Sequence, residues 1–408
     1  MKILFVVDGR SPIALNWISF FVEQRHEVHI ASMYPCQPAL DLASVSIIPV
    51  AFSGAVEAGV RENKDIGIKG RIIRTIATPN IRTWLRQRFV PRSLPKAAAQ
   101  LRSLVSDLQP DIVHAMRIPY EGMLAVLATA SLPRPHCPLL VSIWGNDFTL
   151  HAPATRQMTQ LTHLTMKQAD ALHTDCYRDQ SLAREWGFDP AKPAVVLPGG
   201  GGIQLDVFKP PVAIERSQDS AQVVINPRGL RAYVRNDTFF KAVPLVLEKL
   251  PNVRFLCPTM AGAREAEGWV NELGIQHAVV LLPKQSRAEM ADLFRQAKVV
   301  VSPSIHDGTP NTLLEALACG CFPVVGDIEP LREWITQGEN GFLVDPADHH
   351  QLAHAIIDAL QDPELRTQAQ EANTQIIAER AEYYHVMKQA AKFYQSLIKC
   401  NYSTYGLR

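Results

Sequence analysis

The residues best equipped for chemistry lie in one stretch, VVVSPSIHDGTPNTLLEALACGCFPVV, positions 299–325. A β-branched run ends near Ser304, and Asp307, Gly308, Thr309 and Pro310 then lead into a helical pattern through Leu313 to Ala318. A loop that enters a helix N-terminus presents backbone N–H groups without intrahelical partners at the positive end of the helix dipole, which suits a diphosphate. The amides of Asn311, Thr312 and Leu313 are the ones expected to meet it. Pro310 has no N–H and instead presets the first turn. Asp307 and Glu315 stand before the helix and on its second turn, so both carboxylates can face one ligand. The competing reading is a capped helix with two solvated acids.

Other candidates are scattered. INPRGLRAYVRNDTFFKA (225–242) supplies Arg228, Arg231 and Arg235 behind another apolar run. Guanidinium groups bind phosphate through two parallel hydrogen bonds, whereas a surface salt bridge is the plainer use. Pro283 and Lys284 close a further apolar run, and Gly9, Arg10 and Ser11 form the loop after the first strand. His114 ends the run DIVHAM, and Asp147 ends SIWGND. Either residue could touch a ligand, but a hydrogen-bonded structural histidine and a turn-forming Asn-Asp pair are equally open. The glycines at 199–202 follow a proline and precede no clear helix, so a hinge is expected rather than a phosphate loop. His349, His350 and His354 have metal-compatible helical spacing, but a solvated helix face is expected. No D-x-D motif sits at a strand end, and Asp345 and Asp348 fall in a turn, so no metal is expected.

The elements that must position these residues follow from periodicity. Strands are expected at 2–7, 27–32, 111–116, 139–145, 171–175 and 194–199, and in a second series at 222–229, 252–258, 278–283, 298–304 and 322–327. Short apolar runs alternating with longer amphipathic stretches imply parallel sheets flanked by helices. The stretch SPIALNWISFFVEQRH reads as the first helix, with Ser11 as cap and Pro12 in its first turn. The tail from about 363 to 400 reads as helix. Pro210–Pro211 and SQDS mark a boundary, giving one domain at 1–208, a second at 209–385 and a terminal helix with tail at 386–408. Ligands are expected at the carboxyl ends of the strands, in a cleft between the domains.

The stretch 299–325 resembles the donor-site signature S-x-x-E-G-x-x-x-x-x-x-E-A-x-A-C-G-x-P-V-V of the retaining GT-B glycosyltransferases of group 1, or family 4. Ser304, Asp307, Gly308, Glu315, Ala316, Ala318, Cys319 and Gly320 occupy the pattern, with Asp307 where the family more often carries Glu, and Pro323, Val324 and Val325 match its end after one additional residue. In that family an arginine and a lysine grip the donor diphosphate; here Arg228 matches the arginine, and Arg231 or, better, Arg235 stands in for the lysine. LPGGGGIQLDVFKP resembles the interdomain segment, and GENGFLVDPADHHQLAHAI a further family stretch. DIVHAM and SIWGND resemble first-domain motifs, with Trp144 replacing the usual histidine. The resemblance implies two Rossmann-like domains, 1–208 binding the acceptor and 209–385 the donor, and a terminal helix returning toward the first. It implies metal-independent, retaining transfer of a sugar from a nucleotide-diphosphate sugar, used as co-substrate with no cofactor. Asp307 would orient sugar hydroxyls, Glu315 would accept from the ribose, Arg228 and Arg235 would neutralise the departing diphosphate, and His114 would touch the donor sugar. Backbone groups near Pro283 and Lys284 would meet the nucleobase, and the loop of Gly9, Arg10 and Ser11 would face the acceptor.

Alternatives are a GT-B epimerase or hydrolase, and a non-catalytic scaffold that binds nucleotide sugars. A dinucleotide oxidoreductase is disfavoured because Asp8-Gly9-Arg10-Ser11-Pro12 lacks G-x-G-x-x-G. The 408 residues suit two domains, and 47% hydrophobic with 20% charged residues describe a globular chain. A net charge of +1 argues against nucleic acid as partner. The seven cysteines include no C-x-x-C pair, and Cys319 and Cys321 read as packing thiols in a reduced, cytoplasmic protein. The apolar run at the start is short for a signal peptide. Residues 61–102 carry eleven Lys and Arg, from Arg61 to Arg102, against Glu62 and Asp65, with Trp84 and Phe89 among them. That stretch is either a solvated excursion or a contact with anionic membrane at the inner face, which would bring the enzyme to a glycan or lipid-linked acceptor.

Overall fold

The computed structural model of the chain describes residues 1–53, 79–130, 132, 137–211 and 222–405. It divides into one unit of Met1–Gly201 with Val386–Arg408, and a second of Gly202–His385.

The first unit is built on a seven-stranded parallel sheet, in the order β3-β2-β1-β4-β5-β6-β7. Its strands are β1 Lys2–Val7, β2 Glu27–Ser32, β3 Ser44–Ile47, β4 Ile112–Ala115, β5 Leu139–Ile143, β6 Ala171–Thr174 and β7 Ala194–Val196. Strands buried on both faces read as unbroken apolar runs, and Ile3 to Val6 are fully buried. The first helix, Pro12–Glu23, starts as expected, with Ser11 accepting from the amide of Ala14. A 30-residue helix, Pro79–Leu108, carries Pro91 and Pro95 and buries Leu94, Ala97 and Leu101. Residues 61–78 of the basic stretch lie outside the described residues.

The second unit holds a six-stranded parallel sheet, in the order β10-β9-β8-β11-β12-β13. These strands are β8 Val223–Ile225, β9 Arg254–Cys257, β10 Val279–Leu281, β11 Val299–Ser302, β12 Phe322–Gly326 and β13 Phe342–Val344. Both units are therefore α/β, doubly wound sheets. In each, strand order reverses once, at β1/β4 and at β8/β11. At such a switch point the loops leaving two adjacent strands diverge to opposite sides and leave a crevice beyond their carboxyl ends.

Two features differ from the sequence expectation. The division falls between Gly201 and Gly202 rather than at 208, because Ile203 and Phe208 are buried in the second unit's core and the amide of Ile203 bonds to the carbonyl of Ala381. The tail is two helices, Pro363–Arg380 and Tyr383–Tyr405, interrupted where Ile203 pairs with Glu382. The second helix belongs to the first unit from Val386 onward. Its Tyr394 stacks on Phe21 at 4.7 Å and is fully buried.

Candidate functional site

The β8/β11 switch point gathers the residues singled out in 299–325 and in the arginine segment. Arg228 leaves β8 on a turn completed by Gly229, whose φ of 64° favours glycine. Asp307 leaves β11, and the helix Asn311–Ala318 follows. Arg228 joins them: Nη2 donates to Asp307 Oδ2 at 2.7 Å and Nη1 donates to Thr312 Oγ1 at 3.1 Å. The ion pair is nearly buried, with side chains 9% and 13% exposed. Arg228 also stands over the ring of Tyr233 at 5.7 Å, and its Nε is buried without a hydrogen-bond partner. A guanidinium so desolvated and only partly satisfied is well prepared for an anion.

The helix start supplies the rest. The amides of Asn311 and Thr312 lie at its first two positions, where no intrahelical partner exists. Leu313 does not fit the expectation: its amide bonds to the carbonyl of Pro310 at 2.9 Å and its side chain is buried in the core. Thr309 is buried and accepts from Trp334 Nε1 at 3.0 Å, which holds the loop that contains Gly308. One turn into the helix, Glu315 is pushed up to about 7 by burial, against the opposing pull of Arg287 and Arg228. Gly326 shapes the same end of the sheet. A Cβ there would sit 2.4 Å from the carbonyl oxygen of Ser304.

The remaining cations are placed differently from the expectation. Arg235 is held in a bidentate pair with Asp237, at 2.8 Å for both bonds. Arg231 instead lies against Arg228, donating from Nε to its carbonyl at 3.0 Å. Lys284 is exposed beyond β10, while the neighbouring carbonyl of Pro283 already accepts from Thr259 and Gln285.

The β1/β4 switch point of the first unit holds a cavity of about 150 Å³, lined by Asp8, Ser11, Arg86, Arg117, Glu121 and Trp144 among others. The loop Gly9–Ser11 is at its rim, tightly fixed. The amide of Gly9 donates to Ser32 Oγ at 3.1 Å, and a Cβ at Gly9 would meet Cys36 Sγ at 2.4 Å. Arg10 is paired with Asp8 at 2.8 Å and lies 4.0 Å over the ring of Tyr34. Sequence reasoning missed Arg86, Arg117, Tyr120 and Glu121, which are far apart in the chain or sit in an irregular turn. The signal that could have found them is Arg117-Ile118-Pro119 immediately after a buried strand. Tyr120 there adopts φ 78°, ψ −55°, a left-handed conformation costing on the order of 1–3 kcal/mol for a bulky residue.

Two expectations need correction. His114 is fully buried: Nε2 lies 2.7 Å from Ser142 Oγ, and Nδ1 is hydrogen-bonded to the hydroxyl of Tyr394. The chain continues from Ser142 to His173 Nδ1 at 2.8 Å and from His173 Nε2 to the carbonyl of Leu197 at 2.9 Å, while Trp17 donates to Tyr394 at 3.1 Å. Every donor and acceptor is satisfied if both imidazoles are neutral and protonated on Nε2. Burial accordingly holds His114 well below its usual range and His173 at about 4. His114 is a core residue with no nitrogen left for a sugar. Asp147 is likewise interior, receiving Arg117 Nε at 2.8 Å and the amides of Trp144 at 3.1 Å and Ile118 at 3.3 Å. It ties two loops together rather than meeting an acceptor.

Among the described residues, one group has the spacing of metal ligands: Asp175, Cys176 and Asp179, all buried within 4.8 Å. Arg178 pairs with Asp179 there, so a guanidinium already supplies the positive charge.

Comparison with known proteins agrees with this fold. Residues 213–376 match the model described as glycosyl transferases group 1, and residues 21–199 match a glycosyl transferase 4-like domain. A D-inositol 3-phosphate glycosyltransferase of Mycobacterium tuberculosis is 35% identical over 179 residues, 42% of this chain. The match spans 36% of that relative's length. Sucrose-phosphate synthase from Thermosynechococcus elongatus superposes with a TM-score of 0.74 at 15% identity, covering 98% of this chain and all of the other. Anabaena HepE, solved with UDP and glucose, superposes with a TM-score of 0.69 at 16% identity, covering 97% of this chain and all of the other. The fold is thus that of GT-B glycosyltransferases, and the chain belongs to the group 1, family 4 glycosyltransferases.

Proposed function

We propose that the protein transfers a sugar from a nucleotide-diphosphate sugar to an acceptor, without a metal and with retention of the anomeric configuration. The observation that carries this reading is the cluster at the β8/β11 switch point, where Arg228 bridges Asp307 and Thr312 at a helix N-terminus. The diphosphate sits on the amides of Asn311 and Thr312, with Arg228 and Arg231 as counter-charges. Each such donor is worth about 2–4 kcal/mol in the transition state. Arg231 takes this place rather than Arg235, because Asp237 already occupies the fork of Arg235. Glu315 accepts from ribose hydroxyls, and Asp307, clamped by Arg228 through Oδ2, offers its other oxygen to sugar hydroxyls. The bond from the anomeric carbon to the diphosphate oxygen breaks as the bond to the acceptor oxygen forms on the same face. The acceptor proton passes to the departing diphosphate oxygen. The UDP complexes of Anabaena HepE support a nucleotide-sugar donor.

The acceptor, on this reading, is a glycan or a lipid-linked sugar bound by the first unit. No helix among the described residues is long and apolar enough to cross a membrane. The helix Pro79–Leu108 nonetheless exposes Trp84 (55%) and Phe89 (39%), with Arg88 at 6.0 Å and Arg92 at 5.6 Å over their respective rings. Such a face suits peripheral contact with anionic membrane at its cytoplasmic side. Incubation with a responding nucleotide sugar and an acceptor panel, followed by NMR of the anomeric proton, tests the assignment. Product with the donor's configuration supports it. Inverted product, or hydrolysis alone, would remove it.

A further inference from the structure

We infer that the cavity at the β1/β4 switch point binds the acceptor through an anionic group, a phosphate ester, held between Arg86 and Arg117. This rests on the transferase reading and adds the chemical class of the second substrate.

The charge balance of the cavity carries the argument. Three guanidiniums face or flank it, those of Arg10, Arg86 and Arg117. Two carboxylates oppose them, Asp8 paired with Arg10 and Asp147 paired with Arg117. Among the described residues Arg86 makes no ion pair. Its Nη2 donates to Tyr34 Oη at 2.7 Å, and its guanidinium lies over the rings of Tyr34 at 5.6 Å and Tyr120 at 5.4 Å. A planar cation stacked on aromatic rings keeps its remaining donors for a ligand.

The third carboxyl is Glu121, which lines the cavity. It is 6% exposed, and Oε2 is buried without a hydrogen-bond partner. Burial pushes it up to about 8, with Arg117 and Arg86 pulling it down and Asp8 pushing further up. At neutral pH it is a carboxylic acid with a proton to donate, and a phosphate oxygen is the acceptor that completes it. A neutral sugar would leave Arg86 uncompensated. His151 also lines the cavity and is held at about 3 by burial and by Arg117 and Arg86. Its Nδ1 accepts from Gln87 at 3.0 Å, so the Nε2–H remains a further neutral donor. Burial raises Tyr34 and Tyr120, so neither ionises near neutrality. Glu121, at about 8, turns from donor to repelling anion between pH 7 and 9.

Calorimetry on the full chain tests this, with the donor site first saturated by UDP so that phosphate cannot bind there. Glucose 6-phosphate is the soluble probe, and glucose the neutral control. The expected result is binding of the ester but not of glucose, weakened roughly tenfold to a hundredfold by Arg86→Gln. Affinity should also fall as pH rises from 7 to 9, where the ester is already doubly charged, and the fall should vanish in Glu121→Gln. Equal binding of ester and glucose, or an unaffected Arg86→Gln variant, would overturn the inference. Vesicles of phosphatidylcholine with phosphatidic acid separate the sources. Arg86-dependent capture on vesicles in place of the soluble ester assigns a lipid phosphate, and capture that ignores Arg86→Gln counts against the site. Nucleotide affinity is measured in every variant, with GDP, ADP or dTDP replacing UDP where UDP does not bind. Failure of the native chain to bind any of them defeats the donor reading, whereas intact nucleotide binding with capture of neither the ester nor the vesicles defeats this inference alone.

Discussion

Replacing Glu315 by Gln should stabilise the ligand-free protein in a pH-dependent way. Glu315 is pushed up to about 7 by burial, whereas an unfolded Glu titrates near the ordinary 4.5. Between these two pH values the folded chain holds a proton that the unfolded chain has released. The stability contributed by the protonated form is therefore complete below pH 4.5 and is lost as pH rises through 7. Each pKa unit corresponds to about 1.4 kcal/mol, so the full loss is about 3 kcal/mol. Glutamine keeps the shape and a hydrogen-bonding end but cannot ionise. Urea unfolding of both proteins followed by tryptophan fluorescence at pH 5, 6, 7 and 8 should show nearly equal midpoints at pH 5. By pH 8 the variant should lead by about 2–3 kcal/mol. The same substitution should weaken binding of the nucleotide sugar above pH 7, where the ribose loses an ionised acceptor. A stability difference that stays constant across this range would show that Glu315 is not buried in the free protein, and the geometry assigned to it would be wrong.

Other outcomes follow from the same contacts. Asp307→Ala leaves the Arg228 guanidinium buried without its carboxylate, and should cost about 3 kcal/mol in urea unfolding besides abolishing transfer. Tyr394→Phe strands Trp17 Nε1 and His114 Nδ1, and should lower stability by about 2–3 kcal/mol while leaving the affinity for the nucleotide sugar unchanged. His173, buried neutral with its value lowered to about 4, makes the unfolded state bind more protons below pH 6.5. Stability should drop by about 3 kcal/mol between pH 6.5 and 4, and less in His173→Gln. Arg231→Ala should raise KM for the donor at least tenfold, whereas Arg235→Ala should change it less than threefold, as steady-state kinetics would show.

The central strands were legible because a strand buried on both faces writes itself as a short apolar run, and the expected runs all contain observed strands. Ser44–Ile47 was not legible: this edge strand alternates half-buried and exposed positions and mixes serine with apolar residues. Phe342–Val344 is only three residues long. The second-unit site was readable because one contiguous segment carries its loop, its helix start and both carboxylates. Arg228 was readable from its place after β8, although nothing in the sequence revealed that it grips Asp307.

The first-unit cavity was hidden for the opposite reason. Arg86, Arg117 and Glu121 converge from a long helix and an irregular turn, and no spacing links them. His114 was misread because its burial depends on Tyr394, 280 residues away, on a helix whose docking no local pattern reports. Asp147 looked like a polar loop residue, but its desolvation is repaid by Arg117 and two amides across a loop–loop contact.

The most direct test of the account is thermal stability of the native chain and Glu315→Ala against UDP-, GDP-, ADP-, CMP- and dTDP-sugars, each with and without EDTA. A ligand that binds only the native state raises stability by about 2.7 kcal/mol at a hundredfold excess over Kd. The account predicts a clear rise in melting temperature with one nucleotide, unchanged by EDTA and lost in the variant. No shift with any nucleotide sugar, or a shift that survives in Glu315→Ala, would contradict a donor site at the β8/β11 switch point.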